Sequence, residues 1–310
     1  MTKPSSRGVT LALVNPAAGG GRGARRWQRL KQTIPELAFV EPLEASSAAE
    51  ARERLGQRLA TGDVGRLLVL GGDGTAHLAA NVLLELEESG GPKAYAVELA
   101  LVPAGTGSDL ARHLELPRSA PRSMRRALEA SPRPLDVIEL TTDAGQRRFV
   151  LNTVSMGLAG AVTVAIESNP RRGQLSYLWT TVRELLRYEA PPCRVFANGE
   201  PMAEGGYFLV AITNGRFFGK GMKVAPDARS DDGRLDLILV PPMSLWSLPI
   251  RMPQFLSGRH VRWPEVTNRR VQEVRYEPGP GHTPFDLDGE PFPAAPVTLR
   301  VRPGALRVLA

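Results

Sequence analysis

Short apolar runs alternate with amphipathic stretches along the first part of the chain. Val9–Val14, Leu67–Leu70 and Leu99–Val102 contain no charged residue, which is typical of strands buried on both faces. Leu37–Val40 predicts a further short strand, and Ala48–Thr61 carries apolar residues at helical spacing. Glycine-rich turns follow the three buried runs. This repetition predicts a three-layer α/β domain, in which helices cover both faces of a mostly parallel sheet.

The second part of the chain has a different pattern. Short β-rich runs are separated by Asn-Gly and Asp-Gly turn signals, with one helical stretch near Leu175–Tyr188. The predicted strands are Leu135–Leu140, Arg148–Asn152, Cys193–Ala197, Tyr207–Thr213, Leu235–Val240, Val271–Tyr276 and Val297–Val301. They predict an antiparallel sandwich or barrel over 134–301, joined to the α/β domain at 1–133 through a linker at Ser131–Pro134. Leu306–Leu309 fits either domain, so 302–310 is a candidate to complete the first.

Composition narrows the class of protein. The 310 residues are 42% hydrophobic and 23% charged, which excludes a disordered, collagen-like or disulfide-scaffold protein. The net charge of +7 suits nucleic acid, anionic lipid or phosphorylated ligands alike. Cys193 is the only cysteine, which excludes an intramolecular disulfide and favours a cytoplasmic setting. The apolar run at Val9–Val14 is too short for a signal-peptide core, and Phe149–Ile166 falls below a membrane span, so we expect a soluble or peripheral protein.

The turn after Leu67–Leu70 is the sharpest motif. Three glycines within Gly71–Gly74 allow the backbone to approach a ligand closely, and exposed N–H groups ahead of a helix attract phosphate. An acid such as Asp73 fits beside phosphates when a metal ion or a hydroxyl donor lies between them. The alternative is a tight turn in which Asp73 caps the following helix.

Two further glycine-rich turns follow buried strands. Asn15–Gly23 contains a weak match to the dinucleotide fingerprint, with Glu41 downstream, so NAD binding is an alternative. Pro103–Arg112 offers the Thr106 hydroxyl, and Asp109 as a helix cap. Because ligands bind at the carboxyl ends of parallel strands, the three turns are expected to face one crevice. The sequence has no P-loop motif.

The combined motifs resemble the diacylglycerol kinase catalytic-domain family, in particular its soluble bacterial lipid kinases. They are Asn-Pro-x-x-Gly at 15, Gly-Gly-Asp-Gly-Thr at 71, Pro-x-Gly-Thr-x-x-Asp-x-Ala-Arg at 103, Asp-Gly-x-Leu-Asp at 232 and Leu-Asp-Gly-Glu at 287. The resemblance implies a nucleotide-binding N-terminal domain, a C-terminal β-sandwich, an active site between them, and ATP and Mg²⁺ as cofactors. NAD kinases and phosphofructokinases share only the Gly-Gly-Asp-Gly signature.

The resemblance also assigns residues. The expected ATP contacts are Asn15, Pro16, Ala17, Ala18, Gly19, Gly71, Gly72, Asp73, Gly74, Thr75, Ala76, His77 and Thr106. Asp288 is expected to be the general base, with Asp286 as a rival; from local sequence alone, Asp288-Gly289 predicts a hairpin turn. Asp73 is expected to help place a metal ion or the acceptor. Asp232 and the main-chain carbonyls of Arg229 and Arg234 are expected to form a structural magnesium site.

Several positions depart from the family pattern. His77 and Ser108 stand where the family usually has asparagine, and both can still form hydrogen bonds. A threonine common after the second strand is replaced within Glu41–Leu43, which puts one nucleotide contact in doubt.

The apolar and arginine-rich segment Pro242–Trp263 predicts contact with an anionic membrane surface, with packing against the sandwich as the alternative. We therefore predict an ATP- and Mg²⁺-dependent kinase of diacylglycerol or a similar lipid alcohol, acting at the inner membrane face. A homodimer is compatible with this prediction, and no nucleic acid partner is expected. The alternatives are an NAD kinase, although Asn152 is followed by Thr153 rather than the required glutamate, and a catalytically silent lipid- or nucleotide-binding homologue.

Overall fold

The computed structural model describes residues 8–104, 108–167, 174–219 and 221–310. The chain divides into two compact units. The first is made of Met1–Asp136 and Pro303–Ala310, and the second of Val137–Arg302.

The first unit is built on a parallel sheet. Its strands β1 (Val9–Val14), β2 (Glu41–Glu44), β3 (Val64–Gly71) and β4 (Glu98–Pro103) lie in the order β2-β1-β3-β4. Its helices are α1 (Ala18–Gly21), α2 (Gly23–Thr33), α3 (Ala48–Leu59), α4 (Asp73–Glu88), α5 (Asp109–His113) and α6 (Ala120–Glu129).

Helices cover both faces of this sheet. Trp27 and Leu30 of α2 and Met124 of α6 pack with Leu68 and Leu70 of β3 on one face. The intervening β3 residues point to the opposite face and are equally buried, beside α3 and α4, which pack against each other. Burial on both faces explains why β1, β3 and β4 have uninterrupted apolar sequences.

The predicted strand Leu37–Val40 is wrong. Pro35–Phe39 forms a 3₁₀ turn that buries Leu37, and the strand begins only at Glu41. Because β2 is an edge strand, it buries only Leu43 and exposes both of its glutamates, so an apolar-run criterion misses it.

The predicted linker at Ser131–Pro134 is also wrong. Strand β5 (Pro132–Thr142) begins there and continues into the second unit. Asp136 is buried in this strand and accepts a hydrogen bond from the Gly304 N–H at 2.8 Å. The chain therefore passes between the units as a strand rather than as a loop.

The second unit contains two sheets with a shared apolar core, and the predicted fold class is confirmed. The remaining strands are β6 (Arg147–Val150), β7 (Thr153–Gly157), β8 (Pro192–Ala197), β9 (Glu200–Gly206), β10 (Leu209–Thr213), β11 (Leu235–Val240), β12 (Thr267–Val271), β13 (Glu273–Pro278), β14 (Phe285–Leu287), β15 (Glu290–Phe292) and β16 (Val297–Leu309). One sheet has the order β12-β11-β10-β7-β14-β15, and the other joins β16, β13, β8 and β9, with β5 and β6 paired beside them. The helices of the second unit are α7 (Leu158–Glu167), α8 (Gln174–Arg187) and α9 (Leu248–Ser257).

Two predicted boundaries in this unit change. The predicted strand Val271–Tyr276 is two strands, β12 and β13, because the chain crosses from one sheet to the other at Gln272. Conversely, the runs at Val297–Val301 and Leu306–Leu309 belong to one long strand, β16. The early part of β16 pairs with β13, and its last residues pair with β4 of the first unit. In the described part of the chain, none of the helices has the length and apolar character needed to span a bilayer.

Candidate functional site

The register of the first sheet aligns the ends of three strands. Leu70 of β3 lies opposite Val14 of β1 and opposite Val102 of β4. The Asn15 N–H donates to the Leu70 carbonyl at 3.0 Å, and the Ala104 N–H donates to the Gly71 carbonyl at 2.8 Å. The turn after β1, the turn after β3 and the start of the turn after β4 are therefore neighbours at one edge of the sheet, as predicted.

Asn15 connects the first turn to the second. Its Nδ2 donates to Thr75 Oγ1 at 3.0 Å, and its Oδ1 accepts the Ala17 N–H at 3.0 Å. A Cβ placed on Gly71 would lie 2.3 Å from Thr75 Oγ1, so only glycine allows this close approach. Four of the residues predicted to contact ATP are thus fixed against one another in the absence of a ligand.

Gly19 and Arg26 connect the first turn to the third. Gly19 has a φ of +63°, and a Cβ there would lie 2.5 Å from the Ala104 carbonyl oxygen. The same carbonyl accepts a hydrogen bond from the Arg26 guanidinium at 2.6 Å. The backbone of the first turn therefore lies directly against the residue that follows β4.

Asp73 is the first residue of α4, but its side chain caps α5, so the expected cap of its own helix is wrong. Gly72 is the N-cap of α4, and the Asp73 carboxylate accepts the N–H groups of Asp109 and Leu110 at 2.9 and 3.3 Å. The predicted cap by Asp109 is wrong as well, because its carboxylate pairs with Arg112 at 2.6 Å. Asp73 thereby ties the second turn to the helix that follows the third.

The accessibility of the remaining predicted ATP contacts differs. Ala18, Gly71, Ala76 and His77 are buried, whereas Pro16, Ala17, Gly19, Gly72 and Gly74 reach the surface. Buried members of the set therefore support the turns rather than offer side chains to a ligand. Thr106 lies outside the described residues.

Asp288 occupies a hairpin turn in the second unit. Asp288 and Gly289 link β14 to β15 and have φ values of +52° and +95°, as a type I′ turn requires. The hairpin expected from local sequence is therefore present. The Asp288 carboxylate also accepts the N–H groups of Leu151, Asn152 and Thr153 at 2.8, 3.1 and 2.8 Å. These bonds anchor the turn to the start of β7.

Asp286 lies two residues away and is buried. Its carboxylate accepts hydrogen bonds from Ser155 Oγ and Thr163 Oγ1, each at 3.2 Å. The pKa of Asp286 is raised to about 6, mainly by burial and to a smaller extent by the negative charge of Asp288. Nearby, Asn152 Nδ2 donates to the Phe217 carbonyl at 2.6 Å, while Asn152 Oδ1 is buried without a hydrogen-bond partner among the described residues.

The residues expected at a magnesium site lie on the approach to β11. Asp232 accepts the Arg234 N–H at 3.1 Å, and Arg270 lies 3.6 Å from its other carboxylate oxygen. A carboxylate and the carbonyls of Arg229 and Arg234 are hard oxygen ligands, so the donor set fits Mg²⁺ chemically. No cluster of three acidic, histidine or cysteine side chains suited to a metal occurs in the described part of the chain, so such an ion would depend on carbonyls and water.

The segment Pro242–Trp263 divides between exposed and packed residues. Trp246 is 93% exposed and Ile250 is also exposed, whereas Phe255 belongs to an apolar core cluster. Arg251 pairs with Glu265 at 2.6 Å and lies over the Trp263 ring, so its charge is turned toward the protein. The expected packing is therefore observed for part of the segment, and the expected membrane contact stays a prediction for its exposed side chains.

Comparisons with known proteins agree with these features. Residues 10–140 match the family model of the diacylglycerol kinase catalytic domain, and residues 152–310 match that of the YegS C-terminal NAD kinase beta sandwich-like domain. A "Probable lipid kinase YegS-like" from Xanthomonas axonopodis is 32% identical over 265 residues, covering 84% of this chain and 82% of that protein. The chain belongs to the diacylglycerol kinase family of lipid kinases.

Other members of this lipid kinase family match nearly the whole chain. A diacylglycerol kinase from Mycobacterium tuberculosis is 27% identical over 310 residues, and the match covers 97% of this chain and 95% of that protein. The crystal structure of a diacylglycerol kinase from Bacillus anthracis shares the fold, with a TM-score of 0.75 and 22% sequence identity. The match covers 99% of this chain and 98% of the Bacillus anthracis chain. The resemblance predicted from the motifs is therefore confirmed.

Sequence reasoning missed an exposed apolar stripe on α8. Trp179, Val182 and Leu186 are 71%, 37% and 60% exposed. Their helical spacing was the available signal, but periodicity alone does not tell a buried stripe from an exposed one.

The raised pKa of Asp286 makes stability depend on pH. Its contribution to stability is fully present below the unfolded pKa of about 4 and is lost as pH rises through about 6, since folding then buries a charge. Relative to the native protein, Asp286→Asn should therefore gain about 2–3 kcal/mol in free energy of unfolding between about pH 4 and about pH 8. Denaturant unfolding at the two pH values measures this change.

Asp143→Asn is the control, because the pKa of Asp143 is shifted in the opposite direction. A hydrogen bond from Arg275 lowers this pKa, so the contribution of Asp143 to stability is present above the unfolded pKa of about 4 and is lost only below it. Between about pH 4 and about pH 8, the stability of Asp143→Asn should therefore run nearly parallel to that of the native protein. Parallel pH profiles for Asp286→Asn and the native protein would contradict the burial of an ionisable carboxyl group at 286.

Proposed function

We propose that this member of the family is an ATP-dependent kinase that phosphorylates a hydroxyl of diacylglycerol or a similar lipid alcohol. The observation that carries the proposal is the alignment of the carboxyl ends of β1, β3 and β4, each of which is followed in the sequence by a glycine-containing segment. In open α/β sheets, ligands bind at this edge. Family membership supports the reaction class, and the lipid acceptor is proposed by analogy with the named relatives.

The turns are proposed to hold the nucleotide phosphates through main-chain amides. Gly20 and Gly21 have positive φ and open space around the position of a Cβ, so their backbone is accessible to a ligand. The N-terminus of α4 adds a partial positive charge at the second turn. Mg²⁺, when bound with ATP, would neutralise phosphate charge. Asp73 positions the third turn through its bonds to α5.

Asp288 is proposed to accept the proton of the lipid hydroxyl. The hydroxyl oxygen then bonds to the γ-phosphorus of ATP, and the bond from that phosphorus to the bridging oxygen breaks, which releases ADP. An ionised carboxylate has about four lone-pair positions, so the amide bonds to Asp288 leave it able to accept a further hydrogen. Asp286, which is buried and bonded to two hydroxyl groups, is the less accessible of the two carboxylates.

Asp232 is proposed to hold a structural Mg²⁺ together with the carbonyls of Arg229 and Arg234. Burial is the main cause of the raised pKa of Asp236, and repulsion by the negative charge of Asp232 adds to it. A bound Mg²⁺ would offset this repulsion. Its role would be to fix the approach to β11, and no step of the phosphoryl transfer is assigned to it.

Transfer to distinct acceptors tests the proposal. Labelled ATP is offered with diacylglycerol, a sphingoid base and NAD, and label is expected in diacylglycerol or the other lipid alcohol. Asp288→Asn should reduce the rate by at least about 10²-fold while ATP binding persists, because the base is lost but the turns of the first unit are not. Its unfolding temperature should fall, because an amide cannot accept all three N–H bonds that the carboxylate accepts, so the rate is measured below that temperature. Asp286→Asn is the matched comparison and should retain most activity.

Two other results of the transfer assay would favour a different function. Label in NAD would replace the proposal with an NAD kinase, and binding of ATP without transfer to any acceptor would indicate a silent homologue. Near-native rates for Asp288→Asn with loss of activity in Asp286→Asn would move the base to Asp286.

A lipid acceptor also requires contact with a membrane surface, and we propose that Trp246 and Ile250 provide it. Both side chains are exposed, next to the core-packed part of α9. Replacing both by serine should reduce binding to anionic vesicles at least about tenfold, because two apolar side chains no longer enter the interface. Phe39→Ser, which removes an exposed aromatic ring from the first unit, is the control and should bind as the native protein does. Equal binding by all three proteins would exclude this surface.

A further inference from the structure

The positive charge of the protein is concentrated in two segments of the first unit. Residues 18–33, around α2, and residues 109–129, around α5 and α6, together carry ten basic and three acidic side chains, an excess equal to the net charge of +7 of the whole chain. Helices α2 and α6 pack on the same face of the sheet. The excess of positive charge is therefore carried by these two segments, whereas several basic residues elsewhere in the unit pair with acids, namely Arg52, Arg54, Arg58, Arg66 and Lys93.

A cavity of about 850 Å³ opens on this face between α2 and the α5–α6 segment. Its size lies within the range of small-molecule sites. Four arginines line it, namely Arg26, Arg29, Arg112 and Arg118, and Glu115 is the one acid among the described lining residues. The charge of the lining therefore favours an anion.

The four guanidinium groups differ in their existing bonds. Arg26 donates to the Ala104 carbonyl, and Arg112 pairs with Asp109. Arg29 and Arg118 are exposed and have no ion pair with the described residues. Both line the cavity, Arg29 from α2 and Arg118 from the segment before α6. Both are therefore available to a ligand that enters between them.

Two polar features of the lining add to the arginines. Ser108 Oγ is buried without a hydrogen-bond partner among the described residues. The first turn of α6 also borders the cavity, and its N-cap Ser119 makes no side-chain cap bond, so the Ala120 N–H is not satisfied by that side chain; Pro121, the next residue, has no N–H. A ligand with several acceptor oxygens suits these donors better than a single carboxylate does.

We propose that this cavity is a binding site for a phosphate-bearing anion. Guanidinium groups bind phosphate through paired charge-assisted hydrogen bonds, and arginine is preferred over lysine for this geometry. Among the described lining residues, none is a predicted ATP contact of the first or second turn, and the cavity borders the described part of the third turn at Pro103 and Ser108. It shares Pro103, Ser108 and Ala111 with the pocket beneath Gly72 and Asp73, which places a ligand here next to the proposed nucleotide turns.

Two arginine pairs test the site in the full-length protein without ATP. Arg29→Gln with Arg118→Gln removes the two available lining charges. Arg25→Gln with Arg125→Gln is the matched control, because it removes the same charge from α2 and α6 at exposed positions that do not line the cavity. The probes are inorganic phosphate and glycerol 3-phosphate by calorimetry, and phosphatidylcholine vesicles with and without phosphatidic acid by co-sedimentation.

The lining pair should weaken binding of at least one phosphate probe by about tenfold or more, and the control pair should change it less than about twofold. An effect on the soluble probes identifies a free phosphorylated compound as the source, and an effect only on phosphatidic acid vesicles identifies a lipid headgroup. Equal weakening by both pairs would show diffuse charge attraction and overturn the proposal, as would the absence of binding to every probe. The readout is binding alone, so it is independent of whether the kinase reaction is found.

Discussion

The parallel register of β1, β3 and β4 is the constraint on which the candidate nucleotide site depends. Main-chain hydrogen bonds set Val14, Leu70 and Val102 side by side, so the segments that follow these residues begin next to one another. The polar contacts then lock the turns together, through Asn15 to Thr75 and through Asp73 to the N-terminus of α5. A shift of one residue in β1 would break the first contact, a shift in β4 would break the second, and a shift in β3 would break both. Each shift would also reverse which side chains of that strand face the core.

In the second unit, Asp288 combines an architectural and a proposed chemical role. Its carboxylate holds the β14–β15 turn against β7 through three amide bonds, and the same carboxylate is the proposed base. Asp286, two residues earlier, is kept buried by Ser155 and Thr163. The two acids therefore have different environments although only two residues separate them, because Asp286 lies within β14 and Asp288 lies in the turn that follows it. This difference separates their proposed functions.

Much of the fold could be predicted because burial on both faces of the first sheet leaves a simple signature, as in Val9–Val14 and Leu67–Leu70. The edge strand Glu41–Glu44 has no such signature, since only Leu43 is buried. The cap that Asp73 provides could not be predicted, because its partners are 36 and 37 residues away and become neighbours only through the sheet register. The arginine-lined cavity likewise arises from the packing of α2 beside α6, which residue spacing does not encode.

Amide hydrogen exchange with and without ATP and Mg²⁺ tests the central claim most directly. If main-chain N–H groups of the adjacent turns hold the nucleotide, exchange across 15–23 and 71–77 should slow by about tenfold or more at saturating ATP. Amides of the β8–β9 hairpin, in the other unit, serve as the internal reference and should not change. Unaltered exchange in both turns, at ATP concentrations that saturate binding, would contradict the account.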